Sequence, residues 1–164
     1  MTQPVNTDNL YLYVLVRTDL PSLGKGKACA HSAHAANLFS YDDFIQPLRK
    51  GKEPDASVVA WHEAADGFGT TIALEVRDGQ TMRDVVAAAK SMKFKAGVVT
   101  DPTYPYEVDY EIYPLINPEV HTAPAVSTRT GKVCFRKEDS CAYVFGNKSD
   151  LSVLLARFGL LSND

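Results

Sequence analysis

The sequence has few cysteines and no long apolar run. Cys29, Cys134 and Cys141 are the only three cysteines in 164 residues, and none belongs to a CxxC pair. An odd, scattered set argues against a disulfide framework and against a four-thiolate zinc site, so we expect buried thiols. The longest stretch without an acidic or basic residue, 28–41, has 14 residues. A bilayer-spanning helix needs roughly 18 to 20 apolar residues, so we expect no membrane association.

The chain also lacks a strong net charge and the marks of a secretion signal. Its formal charge of −3 is unevenly spread, with a net +3 over residues 11–52 and −5 over residues 53–85. A local basic face that meets nucleic acid is therefore compatible with the acidic total. The first eight residues have neither a basic start nor an apolar stretch, and we expect a cytoplasmic protein.

Apolar and β-branched runs alternate with helical patterns along the chain. The runs predict strands near 11–16, 70–76, 96–100 and 141–145, and the helical patterns cover about 27–39, 57–65 and 81–92, with a last helix capped by Ser149. The alternation predicts one α/β domain over residues 1–164, a three-layer α/β/α fold with a four-stranded mixed, mostly parallel sheet. The last strand is free to run antiparallel, because it follows an irregular, proline-rich insertion at about 102–139 that contains a hairpin turn near 129–132.

The segment from the first strand to the first helix holds the most informative residues. Asp19 and a glycine-bearing loop with Lys25 and Lys27 follow the strand, and a helix then begins near Lys27. Ligands bind at the carboxyl ends of strands in such sheets, and a helix N-terminus offers free N–H groups to an anion. The glycine spacing fits neither common phosphate-binding motif, and a plain solvated loop is the alternative.

Two histidines lie on the first helix. The spacing of Lys27, His31 and His34 places all three along one helix face, with Lys27 and His31 as neighbours. A metal site needs a third ligand, and His62 and His121 have no diagnostic spacing, so we expect no metal. His31 is the better functional candidate, whereas His34 is interpreted first as a core histidine with one hydrogen bond.

Asp101 is the acidic candidate. It ends the third predicted strand, at the sheet edge where the first strand delivers Asp19. Its carboxylate would hold a lysine, bind a ribose hydroxyl or orient a water; the alternative is an aspartate that starts a turn before Pro102. There is no GxSxG motif and no local cysteine-nucleophile signature, which disfavours covalent serine or cysteine hydrolysis.

Three of these segments together resemble a known family. Residues 14–20 (VLVRTDL), 24–27 (GKGK) and 28–36, with His34 near the end, resemble the opening of the type 2 peptidyl-tRNA hydrolase family, VVRTDLxMGKGKxAAQxxHAA. The resemblance continues more weakly through Trp61 to Asp101. The chain departs from the pattern at His31, where the family has glutamine, and at residues 21–23, where the family has lysine and methionine. Thr130, Ser140 and Cys141 are the candidates for the family's two functional threonines.

The resemblance implies a cytosolic hydrolase that cleaves the ester between a peptide and the 3′ ribose of tRNA, without metal or cofactor. It implies Lys27 as the cation at the oxyanion, Asp101 as the group that orients Lys27 or water, and His31 as a hydrogen-bonding group in place of glutamine. The implied partner is tRNA, and the residues assigned to substrate binding are Asp19, Lys25, His34, Arg49, Lys50 and Lys52. A homodimer is one option for the oligomeric state.

Two other functions stay open at this point. One is a tRNA- or RNA-binding relative that no longer catalyses hydrolysis. The other is an enzyme on another small ligand, with the 102–139 insertion closing over the strand ends as a lid.

Overall fold

The computed structural model describes residues 9–20, 23–108, 126–128 and 131–161 of the chain. The strands are β1 (Leu10–Arg17), β2 (Thr71–Val76), β3 (Lys95–Val108), β4 (Val126–Thr128) and β5 (Gly131–Asn147). The helices are α1 (Lys25–Ser40), α2 (Gln46–Arg49), α3 (Ala56–Glu63), α4 (Gly79–Ser91) and α5 (Lys148–Leu155). In the described ranges, no helix is both long and apolar enough to cross a membrane.

The main sheet has the strand order β2–β1–β5–β3, and the short β4 pairs with the first residues of β5. The predicted α/β class with a mixed sheet is confirmed, and the last long strand runs antiparallel to both of its neighbours. The sheet was predicted to be mostly parallel, but β1 and β2 form the one parallel pair among the described strands. Apolar runs of central strands look alike in either direction, so the sequence pattern does not reveal strand direction.

Alternating side chains of β1 face the helical layers on the two sides of the sheet. Leu12, Val14 and Val16 face α1 and α3, while Tyr13 and Leu15 face α4 and α5. This alternation follows from the two-residue period of a strand. It produces a core on each side of the sheet and confirms the three-layer arrangement.

The first helix is longer than predicted. Helical backbone continues from α1 through a π-helical turn, Tyr41–Ile45, into α2, so it extends well beyond the predicted end near residue 39. Pro47 is tolerated because it lies at the start of α2. The result is one helical path from Lys25 to Arg49.

Short polar residues set the other helix starts. The side chains of Asp55, Asp78 and Asn147 accept hydrogen bonds from backbone N–H groups in the first turns of α3, α4 and α5. The prediction that Ser149 caps the last helix is wrong, because Asn147 takes that position and Ser149 donates to it.

The strands β3 and β5 extend well beyond their predicted ends. β3 continues to Val108 through Pro102 and Pro105, and it pairs with β5 along this extension. Proline is tolerated here because β3 is an edge strand, where a missing N–H can face away from the ladder. Thr128 lies opposite Gly131, while residues 109–125 and 129–130 of the predicted insertion and hairpin lie outside the described residues.

Candidate active site

The candidate residues meet at one edge of the sheet. Because β1 and β3 both run antiparallel to β5, they run in the same direction, and the end of β1 lies at the edge where β3 carries Asp101. The start of α1 lies at this edge too, directly after the loop that leaves β1. Asp101 does not end its strand as predicted, because β3 continues beyond it; Pro102 is part of the strand rather than of a turn.

Lys27 and His31 lie one turn apart on α1, and both lie close to the ring of Tyr104 of β3. The Nζ atom of Lys27 lies 4.8 Å from the centre of the Tyr104 ring, and the centre of the His31 ring lies 5.8 Å from it. His31 and Tyr104 are only 3% and 1% exposed, respectively. The expectation that Lys27 and His31 are neighbours on one helix face therefore holds, and Tyr104 joins them.

Burial lowers the pKa of His31 below its usual value of 6.5, and the nearby positive charges of Lys27 and Arg17 act in the same direction, as does His34. The Asp101 carboxylate acts in the opposite direction, which places it within electrostatic range of the imidazole. The ring is therefore mainly neutral at pH 7. Its Nδ1 atom is buried and has no hydrogen-bond partner among the described residues.

Asp19 is part of an ion-pair network, and its predicted role in substrate binding stays a prediction. Arg17 donates from Nε and Nη2 to the two carboxylate oxygens of Asp19, each at 2.8 Å, and from Nη1 to Glu138 and to the carbonyl oxygen of Asp139. These bonds lower the pKa of Asp19. A Cβ atom on Gly79 would lie 3.0 Å from the guanidinium carbon, so a larger residue there would press against the Arg17 side chain. The network fixes the end of β1 against β5 and α4.

Cys141 and Ser140, two of the three threonine candidates, are both buried, and Cys141 contacts α1. The Sγ of Cys141 donates to the carbonyl oxygen of His31 at 3.1 Å. Burial raises the pKa of this thiol to about 12, so it is not a nucleophile at neutral pH. The third candidate, Thr130, lies outside the described residues.

The remaining predictions concern His34, a metal site and the other two cysteines. His34 is exposed on α1, so its interpretation as a core histidine is wrong, whereas His31 is buried. No cluster of three or more His, Cys, Asp or Glu side chains in the described part of the chain could hold a metal ion. Cys29 is exposed, contrary to the expectation of a buried thiol, and the side chain of Cys134 is outside the described set.

The basic residues form two groups rather than one. Lys25 is exposed at the first residue of α1, beside Lys27, whereas Arg49, Lys50 and Lys52 are exposed at the opposite end of the helical path. Between the two groups the helical path includes the π-helical turn Tyr41–Ile45. The assignment of Lys25, Arg49, Lys50 and Lys52 to substrate binding stays a prediction, and the structure shows that the last three lie at the far end of this path from the start of α1.

A cavity lies on the other side of α1. It has a volume of about 670 Å³, and its wall includes Leu20, Leu23, Lys25, Cys29, Glu75 and Leu161. It adjoins the helix start and provides space for part of a ligand next to Lys25.

Sequence reasoning missed Arg17 and Tyr104. An arginine that ends a fully apolar strand, with an aspartate two residues later, is a signal of an ion pair at the strand end. Tyr104 had no such signal, because it is one of several tyrosines in a proline-rich segment.

A comparison with protein-family models shows to which family the chain belongs. The family model described as Peptidyl-tRNA hydrolase PTH2 matches residues 10–112, more than half of the chain. The chain belongs to the peptidyl-tRNA hydrolase PTH2 family. The PTH2 match includes Lys27, His31, Asp101 and Tyr104 and ends before β4, β5 and α5. No curated protein matches the chain. The match supports a peptidyl-tRNA hydrolase-like function at the level of the family.

Proposed function

We propose that this chain hydrolyses the ester that joins a peptide to the 3′ ribose of tRNA. One observation carries the proposal. The PTH2-matched segment brings Lys27 and the buried imidazole of His31 to the same sheet edge, with Asp101 in electrostatic range. A cation, a neutral hydrogen-bonding ring and a carboxylate are suited to ester hydrolysis by water, without a covalent enzyme intermediate.

The lysine stabilises the negative charge that develops in the reaction. When water attacks the ester carbonyl carbon, its oxygen becomes an oxyanion, and the Lys27 ammonium lies beside it. The N-terminal end of α1 adds partial positive charge at the same place. One well-placed donor of this kind contributes about 10²- to 10³-fold to the rate.

Asp101 and His31 handle the water and its proton. The Asp101 carboxylate orients the attacking water, takes up its proton and passes that proton to the ribose oxygen when the C–O bond breaks. The neutral His31 ring provides a hydrogen bond that glutamine provides elsewhere in the family. The products are a peptide carboxylate and a tRNA with a free 3′ hydroxyl, and no metal or cofactor takes part.

The two basic groups contact phosphates of one tRNA. Lys25 lies beside the site and meets the acceptor end, while Arg49, Lys50 and Lys52 meet phosphates further along the molecule. The exposed side chains of all four residues support this assignment. Because peptidyl-tRNA is made on cytosolic ribosomes, the protein acts in the cytosol.

Purified protein and peptidyl-tRNA with a labelled peptide test this function. We expect release of the peptide by the wild type, an unchanged rate with a chelator, and a loss of about 100-fold or more for Asp101→Asn. Lys148→Ala, at the distant start of α5, is the matched surface control and keeps the wild-type rate. A wild type that releases no peptide under conditions where it binds tRNA would contradict the proposal.

A binding protein without turnover is the second candidate. The observation that favours it is the state of Ser140 and Cys141, which are buried and provide no exposed hydroxyl at the site. This candidate predicts tight, salt-dependent binding of tRNA and an intact ester after prolonged incubation.

A further inference from the structure

Tyr104 is a fully buried side chain that the proposed reaction does not use. Its ring touches the two α1 side chains to which we assign chemistry, Lys27 and His31. A core tyrosine would be expected to pack among apolar side chains, whereas here an ammonium group and an imidazole lie against the ring.

An irregularity in β3 is responsible for this position. Asp101 lies opposite Glu138 and Tyr104 lies opposite Arg136, so β3 advances by three residues while β5 advances by two. Residues three apart in a regular strand point to opposite faces of the sheet. The extra residue of this bulge lets Asp101 and Tyr104 both face α1, and bulges beside active sites commonly redirect a side chain in this way.

We propose that Tyr104 is a positioning residue that holds the Lys27 ammonium at the reaction centre through a cation–π contact. The inference rests on the proposed function, because it assigns Tyr104 a role through Lys27. A lysine side chain has four rotatable bonds, and each contact of its head group narrows the set of positions that it samples. The 4.8 Å contact with a buried ring restricts that sampling to the side of α1 that faces Asp101.

The ring and the hydroxyl have different expected contributions. A cation–π contact needs the aromatic face only, so Tyr104→Phe keeps most of the activity, within about threefold. Tyr104→Leu fills much of the space but has no ring, and its kcat falls by about tenfold to thirtyfold with little change in KM. Tyr143→Leu is the control, because Tyr143 is equally buried in the same layer but its hydroxyl donates to Asp43, at the other end of α1.

A double-mutant cycle separates positioning from a packing role. If Tyr104 acts through Lys27, the Leu substitution has no further effect on kcat in a Lys27→Ala background, since the group it positions is absent. A packing role predicts instead that the two losses multiply. Thermal unfolding of each variant identifies a temperature at which all are folded.

A labelling experiment tests the same contact without turnover. Trinitrobenzenesulfonate reacts with uncharged, accessible amines, and peptide mass spectrometry reports each lysine separately. We expect Lys27 to react more slowly than Lys25 in the wild type and in Tyr104→Phe, and several-fold faster in Tyr104→Leu than in the wild type.

The double-mutant cycle and the lysine labelling test the role of Tyr104, whereas hydrolysis by the wild type tests the proposed function. Unchanged Lys27 labelling in folded Tyr104→Leu, or multiplying losses in the cycle, would overturn the inference whether or not the function is right. A wild type without hydrolysis would overturn the proposed function, and the labelling would then decide alone whether the ring holds Lys27.

Discussion

Replacement of Arg17 by methionine is expected to destabilise the fold strongly. The guanidinium is 9% exposed and joins Asp19, Glu138 and the Asp139 carbonyl. Methionine keeps most of the apolar volume but leaves the Glu138 carboxylate, 15% exposed, without this cation. Loss of one partner of a buried pair typically costs about 3–5 kcal/mol, and the more exposed pair with Asp19 adds up to about 1 kcal/mol.

We therefore expect the free energy of unfolding to fall by about 4 kcal/mol, with a Tm lower by about 8–16 °C for a chain of this size. Urea unfolding followed by circular dichroism measures the change. Arg77→Met is the matched control, because Arg77 also pairs with a neighbouring aspartate at 2.8 Å at a strand end but is 86% exposed. Its expected loss is below about 1 kcal/mol.

The pH dependence gives a second check on the same variant. The Arg17 hydrogen bonds lower the pKa of Asp19 in the folded state, so the stability they provide is present above pH 3.8 and is lost as the pH falls through the lowered value. The deficit of Arg17→Met should thus shrink in acid. A deficit equal to that of Arg77→Met would show that the buried Arg17 network adds no more stability than an exposed ion pair, and a deficit that is the same at pH 7 and pH 3 would show that the Asp19 carboxylate takes no part in it.

Three further predictions concern the site and its surroundings. Affinity for tRNA should fall with salt with a log–log slope of about −2 to −3, and Lys25→Ala should flatten that slope by about 0.7 while Lys148→Ala leaves it unchanged; titration of labelled tRNA measures both, and a salt-independent affinity would exclude the basic contacts. Burial lowers the pKa of His31, so the wild type should lose stability as the pH falls below 6.5, and His31→Gln should lose less between pH 7 and 5 in urea unfolding; equal losses would count against a buried, neutral ring. Cys29 should react rapidly with a maleimide, whereas Cys141, with its pKa raised to about 12 by burial, should react only after unfolding; peptide mass spectrometry distinguishes them, and fast labelling of folded Cys141 would contradict its placement.

Local patterns in the sequence predicted most of the helices and strands. The apolar run before Arg17 and the alanine-rich segment after Lys27 each have one dominant conformational preference, and both formed the expected element. The edge shared by β1 and Asp101 followed from strand direction alone. These features depend on residues close together in the sequence, which is why the sequence is sufficient for them.

In contrast, the residues at which β3 and β5 begin and end depend on parts of the chain that are distant in the sequence. Pro102 and Pro105 look like strand breakers in isolation, and they are compatible with a strand only because β3 lies at the sheet edge. The position of β5 between β1 and β3 cannot be inferred from its apolar run. Strand order is decided by which faces and edges remain uncovered once the whole chain is folded.

Some features of the site also depend on residues that are distant in the sequence, and these features were not predicted. Lys27 and His31 share a helix turn, which spacing reveals, but the burial of His31 and the exposure of His34 depend on how α1 is rotated against the sheet. The ion pair between Asp19 and Arg17 was not predicted, because it depends on how the end of β1 is held in the fold. The position of Tyr104 could not be predicted, because it depends on a bulge. A bulge arises from the pairing of two strands and not from either strand alone.

Single-turnover release of a labelled peptide by the wild type and by Lys27→Ala measures whether the Lys27 ammonium stabilises the oxyanion in peptidyl-tRNA hydrolysis. We expect a rate at least about 100-fold lower for Lys27→Ala, with the same Tm and with tRNA affinity reduced by no more than the loss of one charge. Wild-type release by folded Lys27→Ala would contradict it.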